Sequence, residues 1–184
     1  FIPTLTTKKC QRFFLKRKWS EVEGSGGKSL MFLGEFTHTL DDKNRITVPV
    51  KFRTFLSEGQ DREGFFMIVS PNPEERSLRM YTMSAWRRVS EQLRKDADGS
   101  EDPARTLRFF AARGEFSPMD SQSRLVIPQK LLDFAGLSKE VVLVGNFEWI
   151  EVWNIEDYHE EAEKLSQAPV DRKRALWPEE KNNL

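Results

Sequence analysis

From Met31 onward, short apolar runs of strand length alternate with polar turns. "LGEFTHTL" reads as a strand. "DDKN" reads as the turn after it, because Asp and Asn side chains bond nearby backbone groups and tolerate left-handed φ. "RITV" is a second strand, with Ile46 and Val48 on one face and Arg45 and Thr47 on the other. Pro49 begins a short helix, where its missing N–H costs little. Phe52, Phe55 and Leu56 form its apolar face, and Gly59 lies just beyond. "GFFMIVS" and "SLRMYT" are two further strands. Ser84 is the expected cap of a helix whose Trp86, Val89 and Leu93 share a face. After the polar loop "KDADGSEDP", Asp102 and Pro103 open another helix, with Leu107, Phe110 and Ala111 inward and Gly114 at its end.

The same order then starts again. "EFSPM" is a strand, "DSQS" a turn and "RLVI" a strand. Pro128 to Ala135 is a short helix closed by Gly136, and "EVVLVG" and "FEWIEVWN" are strands. Asn154 caps a last helix with Tyr158, Ala162 and Leu165 on one face. Two passes of one pattern predict a tandem repeat. A single hairpin of this size is marginal alone, so the two are expected to interlock into one barrel that buries Ile46, Val48, Leu125 and Ile127 together.

The repeat is sharpest at "LDDKNRITVP" and "MDSQSRLVIP", where Asp41, Arg45 and Pro49 precede Asp120, Arg124 and Pro128 by 79 positions each. Lys51 and Lys130 extend the match. One reading is architectural: Asp41 and Asp120 close their turns through backbone N–H groups, and Arg45 and Arg124 are their ion-pair partners. The other gives each arginine a partner outside the protein, since a guanidinium fork fits phosphate or the O6/N7 edge of guanine. The two are compatible, because an Asp can build the turn from which the Arg projects. Catalysis has little to stand on. Asp41 and Asp42 are adjacent but sit in a polar turn, Asp42 corresponds to Ser121, and no Ser-His-Asp order or nucleotide loop is present. The chain is therefore not expected to be an enzyme.

Composition narrows the partner. With 38% hydrophobic residues, fourteen Phe and five Trp, a core is affordable in 184 residues. Net charge is zero but unevenly spread. Seven of the 29 Lys/Arg and only two of the 29 Asp/Glu fall within residues 1–30, so the remainder is acidic. A globally basic nucleic-acid binder is excluded, and DNA would have to be met by a local patch. Cys10 is the only cysteine, which precludes an intrachain disulfide and suits a reducing cytoplasm. His38 and His159 are not at metal-ligand spacing, and no cofactor or metal is expected. No apolar run approaches the roughly 18–20 residues that span a membrane. Residues 1–30, with "KKCQRFFLKRKW" and "GSGGKS", read either as a basic DNA-binding arm on a linker or as a stretch upstream of a misplaced start. The organised pattern opening at Met31 favours the second.

"MFLGEFTHTLDDKNRITVPVKFR", "DSQSRLVIPQKLL" and "AGLSKEVVLVGNFEWIEVWN" together resemble the MraZ family of bacterial transcriptional regulators, from Met31 to about Leu165. The first two segments carry its pair of D-x-x-x-R motifs. The resemblance implies an α+β chain, mainly β: a tandem SpoVT/AbrB-like swapped-hairpin barrel with flanking short helices. The implied division is a basic extension (1–30), repeat 1 (35–82), connecting helices (83–112), repeat 2 (113–156), and a C-terminal helix and tail (157–184). It further implies a sequence-specific regulator of the cell-division and cell-wall gene cluster, a repressor, cytoplasmic and nucleoid-associated. Such a protein assembles into a ring and binds short repeated double-stranded DNA elements. Arg45 and Arg124 carry over as DNA contacts, and Lys43 and Lys51 are added as neighbouring positive charge. The alternative is a ring-forming scaffold without direct DNA contact, favoured if Trp149 or Trp153 is exposed. One departure bears on shape. The family commonly has Gly before the motif Arg, whereas Asn44 and Ser123 stand here. Ser tolerates left-handed φ less well than Asn, so the second turn is expected to differ from the first.

Overall fold

The computed structural model describes residues 31–56, 59–72, 74–99 and 102–167. Residues 1–30 and the readings placed on them lie outside these. In chain order come β1 (Phe32–Thr39), β2 (Arg45–Thr47), α1 (Val50–Arg53), a 3-10 turn (Gln60–Arg62), β3 (Gly64–Val69), β4 (Ser77–Thr82), α2 (Met83–Ala97) and α3 (Pro103–Ala111). Then follow β5 (Gly114–Pro118), β6 (Arg124–Val126), α4 (Gln129–Ala135), β7 (Glu140–Phe147), β8 (Trp149–Asn154) and α5 (Ile155–Gln167). The protein is mixed α+β, as the pattern predicted.

The two passes exchange strands. β1 pairs antiparallel with β7 of the second pass, and β5 pairs antiparallel with β3 of the first. β4 and β8 join the halves, giving a six-stranded sheet in the order β1-β7-β8-β4-β3-β5. β2 and β6 form a separate antiparallel ribbon. The β1–β7 and β3–β5 ladders each run one step further, through Leu40 N–H to the Lys139 carbonyl (2.8 Å) and Met119 N–H to the Glu63 carbonyl (2.8 Å). Ile46, Val48, Leu125 and Ile127 are fully buried in one core that also holds Phe32, Phe52, Phe65, Leu131 and Leu143. Neither half could close that core alone, so the duplication is expressed as one hydrophobic unit. A smaller cluster lies under α2 and α3, where Phe66 stacks on Trp86 at 3.8 Å between centroids.

Several local expectations are corrected. Thr82, not Ser84, caps α2, its hydroxyl accepting from Ala85 N–H at 3.3 Å. Ser84 instead donates its N–H and hydroxyl to the buried Asp61 carboxylate, at 2.8 and 2.7 Å. Tertiary contact outcompetes the local cap. Phe55 and Ala111 are exposed, and Gly114 opens β5 instead of ending α3. Trp153 is buried and Trp149 half-buried, their rings packed against Tyr158 and Tyr81 respectively. Both indoles donate to Glu151, which is itself half-buried. Asn154 caps α5 as expected, accepting from Glu156 N–H at 2.9 Å. No residue of α5 is buried, and Leu165 is exposed.

Candidate nucleic-acid interface

Each D-x-x-x-R segment is a closed turn. Asp41 Oδ1 accepts from Lys43 N–H (2.9 Å) and Arg45 N–H (3.0 Å), and its Oδ2 from Arg45 Nε (2.7 Å). Asp120 repeats this with Gln122 N–H (2.9 Å), Arg124 N–H (2.9 Å) and Arg124 Nε (2.8 Å). The backbone closes in the same way in both, with Asp41 N–H to the Arg45 carbonyl at 3.1 Å and Asp120 N–H to the Arg124 carbonyl at 2.9 Å. A carboxylate accepting several N–H groups is stabilised in its charged form. The Asp41 carboxyl is lowered to about 2, chiefly by the Arg45 backbone N–H, with the Arg45 side chain adding to it. The Asp120 carboxyl is also lowered, chiefly by the Arg124 side chain and then by its backbone N–H.

The expected difference between the turns is absent. Asn44 has φ 56° and Ser123 φ 60°, both left-handed. What holds Ser123 there is not its own propensity. Arg53 Nη1, from α1 of the other half, donates to Ser123 Oγ at 2.9 Å. Reciprocally, Asn44 Nδ2 donates to Gln129 Oε1 of α4 at 3.1 Å. Each turn is braced by the helix after the opposite turn. Arg53 and Gln129 lie 70 and 85 positions from their partners, and no local pattern in the chain points to either.

The ribbon brings the two motif arginines onto one face. Ile46 pairs with Leu125 at its centre, Arg45 with Val126, and Thr47 with Arg124. Residues directly opposite in an antiparallel pair share a face, and neighbours along a strand alternate. With Ile46 and Leu125 inward, Arg45, Thr47, Arg124 and Val126 point outward together. Arg45 and Arg124 are diagonal neighbours, so their backbones lie roughly 7–8 Å apart. Each arginine side chain is 27% exposed. Asp takes the Nε side of each fork, which aims the guanidinium and limits its rotamers.

The added lysines sit differently. Lys43 is exposed within the first turn. Lys51, on α1, lies over β1, its Nζ 3.4 Å from where a Cβ would stand on Gly34. Its counterpart Lys130 is ion-paired with Glu115. Among the described residues no group of three or more His, Cys, Asp or Glu could hold a metal, and no helix is long and apolar enough to cross a membrane.

Residues 31–110 and 112–176 match the family model described as "MraZ protein". A protein named "Transcriptional regulator MraZ" from Clostridium tetani is 33% identical over 150 residues, spanning 76% of this chain and all of the relative. Its namesake from Caldicellulosiruptor saccharolyticus is 34% identical over 145 residues, 78% of this chain and 96% of the relative. That from Leuconostoc mesenteroides is 34% identical over 128 residues, 70% and 84% respectively. The name is that of a non-enzymatic class, in keeping with a site built of turn carboxylates and aimed guanidiniums. By the matched span and by these identities, the chain belongs to the MraZ family, whose curated members are named transcriptional regulators.

Proposed function

We propose that this protein is a sequence-specific DNA-binding transcriptional regulator that meets double-stranded DNA with the outward face of the β2–β6 ribbon. The observation that carries the reading is the pair of Asp-held arginines, Arg45 and Arg124, on one face of one ribbon. A two-stranded ribbon fits the major groove, and an oriented guanidinium fits a guanine edge or a phosphate. Lys43 adds positive charge within the first turn, and Lys51 adds it over Gly34 of β1 in the same half. The promoter of the cell-division and cell-wall gene cluster is the target that the family resemblance suggests, with repression as the outcome. Action in the cytoplasm at the nucleoid follows from that reading.

One small face on a chain that is net acidic beyond residue 30 is a weak site by itself. In a ring of identical subunits the face recurs, and repeated DNA elements engage several copies. Linked binding of this kind exceeds a single contact by roughly 10²–10⁴-fold. Exposed apolar surface for such assembly is present away from β8: Phe109 and Phe134 are both exposed, with the Arg113 guanidinium over their rings at 4.0 and 5.4 Å. The same surface would serve a scaffold that touches no DNA.

Fluorescence anisotropy with a promoter duplex carrying short direct repeats separates the two. The full chain should bind the duplex, and Arg45→Ala and Arg124→Ala should each weaken binding by about 1–3 kcal/mol per engaged site while melting temperature stays near the parent. A chain that assembles but ignores the duplex, or arginine variants that melt early yet bind like the parent, would sink the DNA-contact assignment.

A further inference from the structure

The outward face of the ribbon is cationic at two corners and differs at the other two. Arg45 stands across from Val126, and Arg124 across from Thr47. The bonds that flank these pairs, Val48 N–H to the Ser123 carbonyl and Ile127 N–H to the Asn44 carbonyl, both at 2.9 Å, put the hydrogen-bonded positions at 48/123 and 44/127. Arg45/Val126 and Thr47/Arg124 are therefore the non-hydrogen-bonded pairs, in which side chains stand closest, at about 4.5–5.5 Å between Cβ atoms. The backbone groups of those residues point away from the ribbon. For Val126 they meet one hydroxyl: the buried Ser117 Oγ accepts from Val126 N–H at 3.1 Å and donates to the Val126 carbonyl at 2.8 Å. His38, 79 positions before Ser117, stands at the matching place in the first half.

Val126 is thus an apolar side chain, 49% exposed, directly across from Arg45 and two positions from Arg124 on one face, with its backbone clasped on the open side. Its β-branched side chain has little freedom about χ1. A lone exposed valine on a surface calls for no explanation. One fixed rigidly beside an aimed arginine, on the face proposed to enter the groove, has a chemical partner there. The C5-methyl of thymine is the apolar group of the major-groove edge, and guanine offers the acceptors that suit Arg.

We propose that Val126 is a specificity-determining residue that contacts a thymine methyl, so that the Arg45/Val126 corner favours a guanine next to a thymine. At the other corner Arg124 is accompanied by the hydroxyl of Thr47. The two halves of one ribbon then read unlike steps, giving the protomer a direction on DNA. This inference rests on the DNA-binding reading above.

The test uses the full chain and two duplexes. The first is the duplex most enriched from a random-sequence library by the wild-type protein. The second is the same duplex with each thymine replaced in turn by deoxyuridine, which removes only the methyl. Wild type should bind about fourfold more weakly when a contacted methyl is lost, the scale of one buried methylene-sized group. Val126→Ser and Val126→Ala should bind the thymine duplex more weakly and show no thymine–uracil difference at that position. Thr47→Ser should leave the difference at that position intact. Equal wild-type binding to both duplexes overturns the inference without any variant, as does a Val126 variant that keeps the difference. Failure of the wild type to enrich any duplex overturns the DNA-binding reading itself, and the inference with it.

Discussion

The turns at Asp41–Arg45 and Asp120–Arg124 share one set of hydrogen bonds yet have no residue in common between their ends: Asp-Lys-Asn in the first, Ser-Gln-Ser in the second. The ends therefore define the turn, and the middle is free to vary in charge. That freedom is used. The first turn carries the exposed Lys43 where the second has Gln122, and of the matching lysines after the ribbon strands Lys51 lies over Gly34 while Lys130 is tied to Glu115. Two geometrically matched arginines thus stand in unequal electrostatic surroundings. Shape was duplicated and kept; the field around it diverged.

The most severe way to break the comparison is to remove what both turns share. Leu125 and Ile46 are fully buried opposite each other under the ribbon. Leu125→Ala should cost about 2–5 kcal/mol through the lost contacts and the residual cavity. Because the ribbon is common to both halves, both arginine sites should suffer together, which urea unfolding and DNA titration would report in parallel.

A smaller effect separates the turns by their strained residue. A β-branched side chain at φ near 60° is poorly tolerated, so Ser123→Val should destabilise by roughly 1–3 kcal/mol. It also removes the oxygen that accepts from Arg53. Asn44→Gly, by contrast, frees φ but gives up the bond to Gln129, and should change thermal stability little. Equal and large losses from both would mean that the bracing side chains, not the backbone, hold the turns.

Charge divergence predicts an asymmetric salt response. Lys43→Ala should make the slope of log affinity against log salt shallower by about one unit if that ammonium neutralises a phosphate. Lys130→Ala should leave the slope unchanged, because Glu115 already holds its charge. Matching changes would show that the two surroundings are equivalent when DNA is bound.

The smallest effect is acidic. The Asp41 carboxyl is held at about 2, below its ordinary 3.8, so the stability it contributes is complete above about pH 4 and is lost as pH falls toward 2. Asp120 is shifted in the same direction and contributes in the same sense. Asp41→Asn and Asp120→Asn should each be less stable near neutral pH and show a flatter stability profile below about pH 4, followed by denaturant titration. Profiles as steep as the parent's would mean that other carboxylates govern acid unfolding.

Much of this was legible in the chain. Eight strands, their order and the α+β class followed from alternation and turn residues, because strand periodicity and turn chemistry are local. Arg45 and Arg124 announced themselves by recurring with their aspartates at a fixed interval, whereas nothing in the chain singled out Val126. Asp102 and Asn154 capped their helices as read, since those bonds close within three residues. Ser84 did not, because a cap competes with any buried acceptor that the fold brings near, here Asp61 from 23 positions away.

What the sequence determined by itself was the inventory: which segments are strands, which of their positions face the core around Ile46, Val48, Leu125 and Ile127, and which two turns repeat. The interlocking of the halves was expected, but only the tertiary structure decided how it is made, with β1 paired to β7 and β5 to β3. It alone put Arg45 diagonal to Arg124, buried the indole of Trp153, and carried Arg53 to Ser123. The reason lies in the range of the forces. Periodicity, capping and turn closure act between neighbours in the chain, where order is spacing. Strand exchange and bracing act between residues whose separation in sequence carries no trace of their distance in space, and they are settled by which arrangement buries Ile46, Val48, Leu125 and Ile127 in one core.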